Sequence, residues 1–194
     1  MMLPEEANVA KVPGSGDGEV VVRPRTTADI QQAAAVLVAV HTSDGYPVEG
    51  VEDPEQWLCP EGTLGAWVAL ADGRVIGHAV VARPAGEDAV GIWAERSGES
   101  EEGIGVLARL FVLREARKRS AGELLVRAAE DFALSRGMRL VLDVMVKDAA
   151  AIRLYERLGW REIGRVVHRF GAADAVDALA FVGAERRGRN EDGA

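Results

Sequence analysis

The chain has one cysteine, Cys59, so an intrachain disulfide is impossible and a small extracellular scaffold held by disulfides is excluded. Its three histidines, His41, His78 and His168, are scattered without the paired spacing of metal ligands, so no metal site is expected. Cys59, between Leu58 and Pro60, reads as a buried or loop thiol. No apolar run approaches bilayer-spanning length, and the start Met1-Met2-Leu3-Pro4-Glu5-Glu6 lacks the positive flank and apolar stretch of a signal peptide. A soluble, cytoplasmic chain with no membrane partner is the expectation. Basic residues are in deficit: 23 Lys and Arg against 31 Asp and Glu give a net charge of −8. Such a surface repels a phosphate backbone, which argues against a nucleic-acid partner, and mildly attracts a cation such as a protonated amine.

Apolar residues, by contrast, make up 48% of the 194, enough for one sizeable core. Residues 1–18, with Pro4, Pro13 and three glycines, cannot offset their ordering entropy and read as a disordered N-terminal tail. Residues 183–194, polar and aperiodic, read as a flexible C-terminal tail. The first tail carries −2 (Glu5, Glu6 and Asp17 against Lys11) and the second sums to zero, so the acidity belongs to a single predicted domain, residues 19–182.

Within that domain Glu19 to Arg23 is a valine-rich strand ended by Pro24. Thr26 and Asp29 form a capping-box-like start, and Ile30, Ala33, Ala34, Leu37, Val38 and His41 fall on one predicted helical face. A short helical turn is expected over Pro54 to Leu58. Leu64 to Leu70 and Val75 to Arg83, separated by Ala71-Asp72-Gly73-Arg74, predict a hairpin. The acidic stretch Glu95 to Gly103 reads as an exposed connection between a continuation of that hairpin and a strand over Ile104 to Val112. The pattern then becomes helix (Ser120 to Arg136), strand (Leu140 to Val146) and helix (opened by Asp148, carrying Ile152, Leu154, Tyr155 and Leu158). Strands over Glu162 to His168 and Ala178 to Val182 close it. A helix between strands implies at least one parallel pair, hence an α/β fold with a mixed central sheet and helices on both faces.

The run from Leu110-Phe111-Val112 through Arg117-Lys118-Arg119-Ser120-Ala121-Gly122-Glu123 takes the chain from a strand through a basic loop into a helix. Amides at a helix start, with the positive end of the dipole behind them, are suited to phosphate, and a small residue admits it closely. Alone, this run is equally a solvated basic turn. It resembles, however, the acetyl-CoA motif Q/R-x-x-G-x-G/A of the GCN5-related N-acetyltransferases, the GNAT superfamily, with Arg117 and Gly122 at its first and last positions. The later run Ala151-Ile152-Arg153-Leu154-Tyr155-Glu156-Arg157-Leu158-Gly159-Trp160 resembles the same family's A-I-x-L-Y-E-x-L-G-[FW]. The likeness spans about Glu19 to Val182. Ser120 departs from it where the family has its first motif glycine, and Asp148 where many members have a cofactor-touching Asn.

The resemblance implies a GNAT fold that moves an acetyl group from acetyl-CoA to an amine. The cofactor would be held by the backbone of Leu110, Phe111 and Val112 and by Arg117, Lys118, Arg119, Ser120, Ala121, Gly122 and Glu123. It gives Tyr155 the role of acid for the departing thiolate, against the plain reading of a packing tyrosine. Asp143, alone among apolar neighbours, matches a general base of members that acetylate protein N-termini; a carboxylate satisfied by a strand-end N–H or an arginine, or a water chain doing its work, are the alternatives. Asp44 and Tyr46 follow the first helix, where the family lines its acceptor site, though a turn explains both. Glu95, Glu99, Glu101 and Glu102 either draw in a cationic acceptor or form a solvated loop. Trp57, Trp67, Trp93 and Trp160 read as core anchors. The rival function is a non-catalytic acyl-CoA-binding or regulatory module of the same fold. The closing strands leave edges for pairing, so the protein is expected as a monomer or homodimer.

Overall fold

The computed structural model describes residues 10–11, 19–170 and 174–184. In chain order the elements are β1 (Ala10–Lys11), β2 (Val20–Pro24), α1 (Ile30–Asp44), α2 (Pro54–Leu58), β3 (Thr63–Ala71), β4 (Arg74–Ala82), α3 (Asp88–Ser97), β5 (Ile104–Val112), α4 (Ala121–Leu134), β6 (Arg139–Met145), α5 (Ala149–Arg157), β7 (Arg161–Phe170) and β8 (Asp174–Val182). They build one mixed sheet ordered β1-β2-β3-β4-β5-β6-β8-β7, in which only β5 and β6 run parallel. Helices cover both faces: Leu124, Leu125 and Tyr155 of α4 and α5 pack on one, Leu37 and Leu58 of α1 and α2 and Trp93 of α3 on the other.

The sheet reaches slightly into both expected tails. Ala10 and Lys11 pair with Val22 and Val21, and the Gly183 amide bonds the Leu140 carbonyl. Apart from Ala184, the remainder of those tails lies outside the described residues. The β3–β4 hairpin turns where expected, with Asp72 (φ 50°) and Gly73 (φ 73°) both in the left-handed conformation that a two-residue turn between twisted strands requires.

Thr26 opens the first helical segment. Its amide and hydroxyl each donate to Asp29 Oδ2 at 2.7 Å, and Arg23 grips the same carboxylate through both terminal nitrogens at 2.7 Å. The buried face of α1 is rotated from the expected one. Ala33, Ala34, Val36, Leu37 and Val40 are buried, whereas Val38 is 41% exposed, because α2 closes over the Val36–Val40 side. A second correction is α3, which occupies part of the stretch assigned to a hairpin continuation and an acidic connection. Ala89, Val90 and Trp93 bury one helical side against β6, β7 and β8, each large apolar side chain contributing about 1.5–3 kcal/mol. Gly91 at its centre and the acidic residues after it hide the helical period.

Two irregularities in the centre position the site. Pairing of β5 with β6 is confined to Ile104–Val106 against Arg139–Val141, after which the strands part and Leu107–Val112 runs beside an open seam. On its other edge β5 carries a bulge: His78 pairs with Phe111 and Val80 with Ala108, so Arg109 and Leu110 stand opposite Ala79 alone. Arg109 adopts φ 54°. The extra residue turns its side chain away from the α4 face, where Leu107 points, and onto the α1/α2 face.

Candidate active site

The cofactor residues expected from sequence converge at the C-terminal ends of β5 and β6. Beyond the bulge, Leu110 and Val112 face α4 and Phe111 faces α1 and α2, leaving the backbone of this segment along the seam. A 3₁₀ segment (Arg114–Arg119) follows, and the first intrahelical bond of α4 runs from Leu124 N–H to Ser120 O. The amides of Ala121, Gly122 and Glu123 are therefore unused by the helix, and no side chain caps them. Ser120 takes the left-handed conformation (φ 60°, ψ 9°), which accounts for a glycine at this place in the family motif. The seam and the bare amides fit an extended acyl arm ending in phosphates.

Side chains of the loop divide their work. Lys118 is exposed, but Arg117 turns back: its Nη2 pairs closely with Asp44 at the end of α1, and its Nε donates to Val112 O at 3.3 Å. Asp44, an acceptor candidate, is thereby engaged with the loop. Glu123 is held by Arg127 at 3.0 Å and Arg157 at 3.6 Å, which offsets its charge beside the amides. Gly122 points inward; an added Cβ would stand 3.2 Å from Leu154 Cδ2. Its smallness serves the contact between α4 and α5 rather than a direct opening to phosphate.

Tyr155 is 5% exposed, with its ring 5.5 Å from Trp160 and 6.2 Å from Phe181. Burial, and secondarily the charge of Asp148, push its phenol well above the ordinary value, so it stays protonated. Asp148 sits at the N-cap position of α5, but only its carbonyl is used, accepting from Ala151 and Ile152; the expected side-chain cap is absent. Burial raises its carboxyl, and Asp44 adds to the effect while Lys147 and Arg117 oppose it. Leu142 and Val144 share the core of Tyr155 and Val141 that of Trp93, so alternation puts Asp143 on the opposite face from Tyr155, just past the last β5–β6 pair. Tyr46 contacts Trp57 edge to face at 5.9 Å, and burial, followed by electrostatic coupling to Tyr155, raises its phenol too. Glu101 and Glu102 precede β5, and Glu99 binds Trp93 Nε1, so these acidic residues lie at the far end of the strand from the seam.

Sequence reasoning missed the network on the α1/α2 face. His78, fully buried and stacked on Phe111 (5.4 Å), bonds Arg109 O through Nδ1 at 3.2 Å, while Arg25 Nη1 meets its Nε2 at 2.9 Å. A guanidinium can only donate, so the proton is on Nδ1. Burial, with the charges of Arg25 and Arg109 helping, lowers His78 to about 3 and keeps it neutral. Arg25 also donates to Leu58 O at 2.6 Å and Cys59 Sγ at 3.4 Å, locking the exposed thiol's segment to the sheet. Trp57 is not simply a core anchor: Arg109 stacks 4.3 Å above its ring, and its indole N–H donates to Glu49 at 3.0 Å. A cleft of about 490 Å³ opens there, bordered by Glu49, Glu52, Asp53, Trp57, Glu61 and Arg109. The only sequence signal for it was an arginine inside an apolar strand. Among the described residues no group of three His, Cys, Asp or Glu could hold a metal, and no helix is long and apolar enough to cross a membrane.

Solved structures share this architecture. The ribosomal-protein-S18-alanine N-acetyltransferase of Escherichia coli superposes with a TM-score of 0.63 at 20% identity, covering 88% of this chain and 97% of its own. The putative acetyltransferase yncA of Salmonella typhimurium, solved with its cofactor acetyl-CoA, gives 0.63 at 16%, covering 89% and 98%. Arabidopsis thaliana NAA60, in complex with acetyl-CoA, gives 0.61 at 20%, covering 84% and 98%. No curated protein matches by sequence. The fold is thus that of acetyltransferases. The profile of the Acetyltransferase (GNAT) family matches residues 33–160, and the chain belongs to that family of acetyl-CoA-dependent N-acetyltransferases.

Proposed function

We propose that this enzyme acetylates a primary amine directly, with acetyl-CoA and acceptor bound together across the β5–β6 seam. Acetyl-CoA supplies an activated thioester, whose C–S bond breaks as the amine forms a new C–N bond to the acetyl carbon. The observation that carries the reading is the parting of β5 from β6 after Val106 and Val141, with a protonated tyrosine beneath it on one face and a carboxylate on the other. Backbone groups of Leu110, Phe111 and Val112 orient the acyl arm and stabilise charge on the carbonyl oxygen. The amides of 121–123, with Lys118 and Arg119, hold its phosphates. Tyr155 gives its hydroxyl proton to the departing sulfur, and Asp143 takes the proton the amine sheds, directly or through water. Tyr46 borders the acceptor.

The test is a calorimetric titration with acetyl-CoA, CoA and NAD, followed by acetyl-CoA-dependent thiol release with a panel of amines. Binding of the two CoA species but not NAD, with amine-dependent release, is expected. Binding without release by any amine would remove the catalytic roles of Tyr155 and Asp143.

A further inference from the structure

Arg109 has an unusual environment for a cation. Its Nη1 is buried and forms no hydrogen bond, it makes no ion pair among the described residues, and its guanidinium carbon lies over Trp57, 4.3 Å from the ring centroid. Stacking satisfies the face of a guanidinium and leaves its in-plane donors unmet, and a buried charged donor without an acceptor is costly. Glu49, whose charge favours the Arg109 cation, makes no ion pair with it and accepts from the Trp57 indole through Oε1. Nor is the placement accidental. Side chains from two other segments support the bulge that aims Arg109 into the cleft: His78 bonds the Arg109 carbonyl itself, and Arg25, which also donates to the Leu58 carbonyl, holds His78. A bulge with left-handed backbone at a non-glycine residue costs energy that the surroundings must overcome, and such strain gathers at ligand sites.

We propose that Arg109 is the binding group for a carboxylate carried by the acceptor, and that the acceptor is therefore a small amine bearing one carboxylate. This rests on the acetyltransferase reading above and narrows its substrate. Two features select the class. Arg109 calls for a planar anion able to take two parallel hydrogen bonds. Glu49, Glu52, Asp53 and Glu61 around the same cleft repel any molecule with net negative charge. A zwitterion with one carboxylate and one amine meets both conditions, whereas a polyamine leaves Arg109 unmet and a dicarboxylate meets the acidic rim. The cleft, about 490 Å³, has the size of a small-molecule site. Arg109 immediately precedes the β5 segment assigned to the acyl arm, so a carboxylate held there keeps an amine a few bonds away close to the seam.

The experiment titrates the CoA-saturated enzyme calorimetrically with free L-amino acids and with the same amino acids as primary amides, which differ only in the carboxylate charge. At least one carboxylate member should bind about 10- to 100-fold more tightly than its amide, the range of a hydrogen-bonded charged partner. Arg109→Met, which keeps stem length and contact with Trp57, should bring the pair to within a factor of about two, and Arg109→Lys should keep part of the preference. If amides bind as well as acids throughout, if neither binds, or if the preference survives in folded Arg109→Met, the proposal is overturned. Should Arg109→Met not fold, the wild-type comparison and Arg109→Lys decide alone. Titration of the free enzyme with acetyl-CoA separates the two readings: no cofactor binding overturns the acetyltransferase mechanism, while the carboxylate preference is judged on its own titration.

Discussion

On the α4/α5 face, the groups assigned to the cofactor are mostly backbone amides within one continuous run, residues 110–123. On the α1/α2 face, the groups around the cleft are side chains from Arg25, Tyr46, Glu49, Trp57, His78 and Arg109, brought together by a bulge and a buried histidine. Amides at a helix start bind phosphate whatever the neighbouring side chains are, so that half can stay constant across a family. A network of side chains on five separate segments, only some of which line the cleft, changes with each of them. The first half therefore speaks for the reaction and the second for its substrate, and the following substitutions probe that division.

The largest effect belongs to Tyr155→Phe, which removes one hydroxyl and leaves the ring against Trp160 and Phe181. Single-turnover acetyl transfer should slow by roughly 10²- to 10⁴-fold, the usual share of a positioned acid, with acetyl-CoA affinity unchanged. Equal rates for mutant and wild type would make Tyr155 a packing residue.

Next comes acid sensitivity of the α1/α2 face. The imidazole of His78 titrates near 6.5 when unfolded and near 3 when folded, so below pH 6.5 the unfolded chain takes up a proton that the native one refuses. Stability contributed by neutral His78 is thus lost as pH falls from about 6.5 toward 3, at up to about 1.4 kcal/mol per pH unit. Asp29, held well below the usual carboxylate range mainly by Arg23, adds a loss in the same direction only below about pH 4. Urea unfolding at pH 7, 5.5 and 4.5 should show this slope and His78→Gln should flatten it; an identical slope in the variant would contradict a buried neutral imidazole.

A smaller effect is expected where α4 meets α5. Gly122→Ala brings a methyl to 3.2 Å from the movable end of Leu154, so thermal unfolding should change little. Gly122→Glu overfills the same contact, costing about 1–3 kcal/mol, and sets a carboxylate at the helix start, weakening acetyl-CoA. Wild-type cofactor affinity in folded Gly122→Glu would remove the phosphate assignment.

What could be read beforehand follows the same division. The hairpin at Asp72-Gly73, the strand–loop–helix run ending in Gly122 and the helix of Tyr155 were legible because their signals are local: turn residues, periodicity and fixed spacing. The exposed side of Val38 and the existence of α3 were not, since the first depends on where α2 packs and the second is masked by Gly91 and acidic flanks. Arg109 was invisible for a further reason. Its direction is set by a one-residue bulge held from His78 and Arg25, 31 and 84 positions earlier, and a bulge reverses the face that alternation assigns.

The smallest effect tests the place where the phosphate loop departs from its family motif. Ser120 holds φ 60° and ψ 9°, a conformation that costs an ordinary L-residue about 1–2 kcal/mol and glycine almost nothing. Glycine gives back about half of that through the greater freedom of the unfolded chain, so Ser120→Gly should stabilise the protein by roughly 0.5–1 kcal/mol, or a few degrees in Tm for a domain this size. Ser120→Ala keeps the strain and drops the hydroxyl, which caps nothing in the helix. If backbone alone binds phosphate, both variants keep wild-type acetyl-CoA affinity and only glycine raises Tm. Weaker binding in both would assign the Ser120 hydroxyl a phosphate contact, and the serine would then be retained for affinity against its conformational strain. A fall in Tm for glycine would show that the left-handed turn carries no strain to relieve.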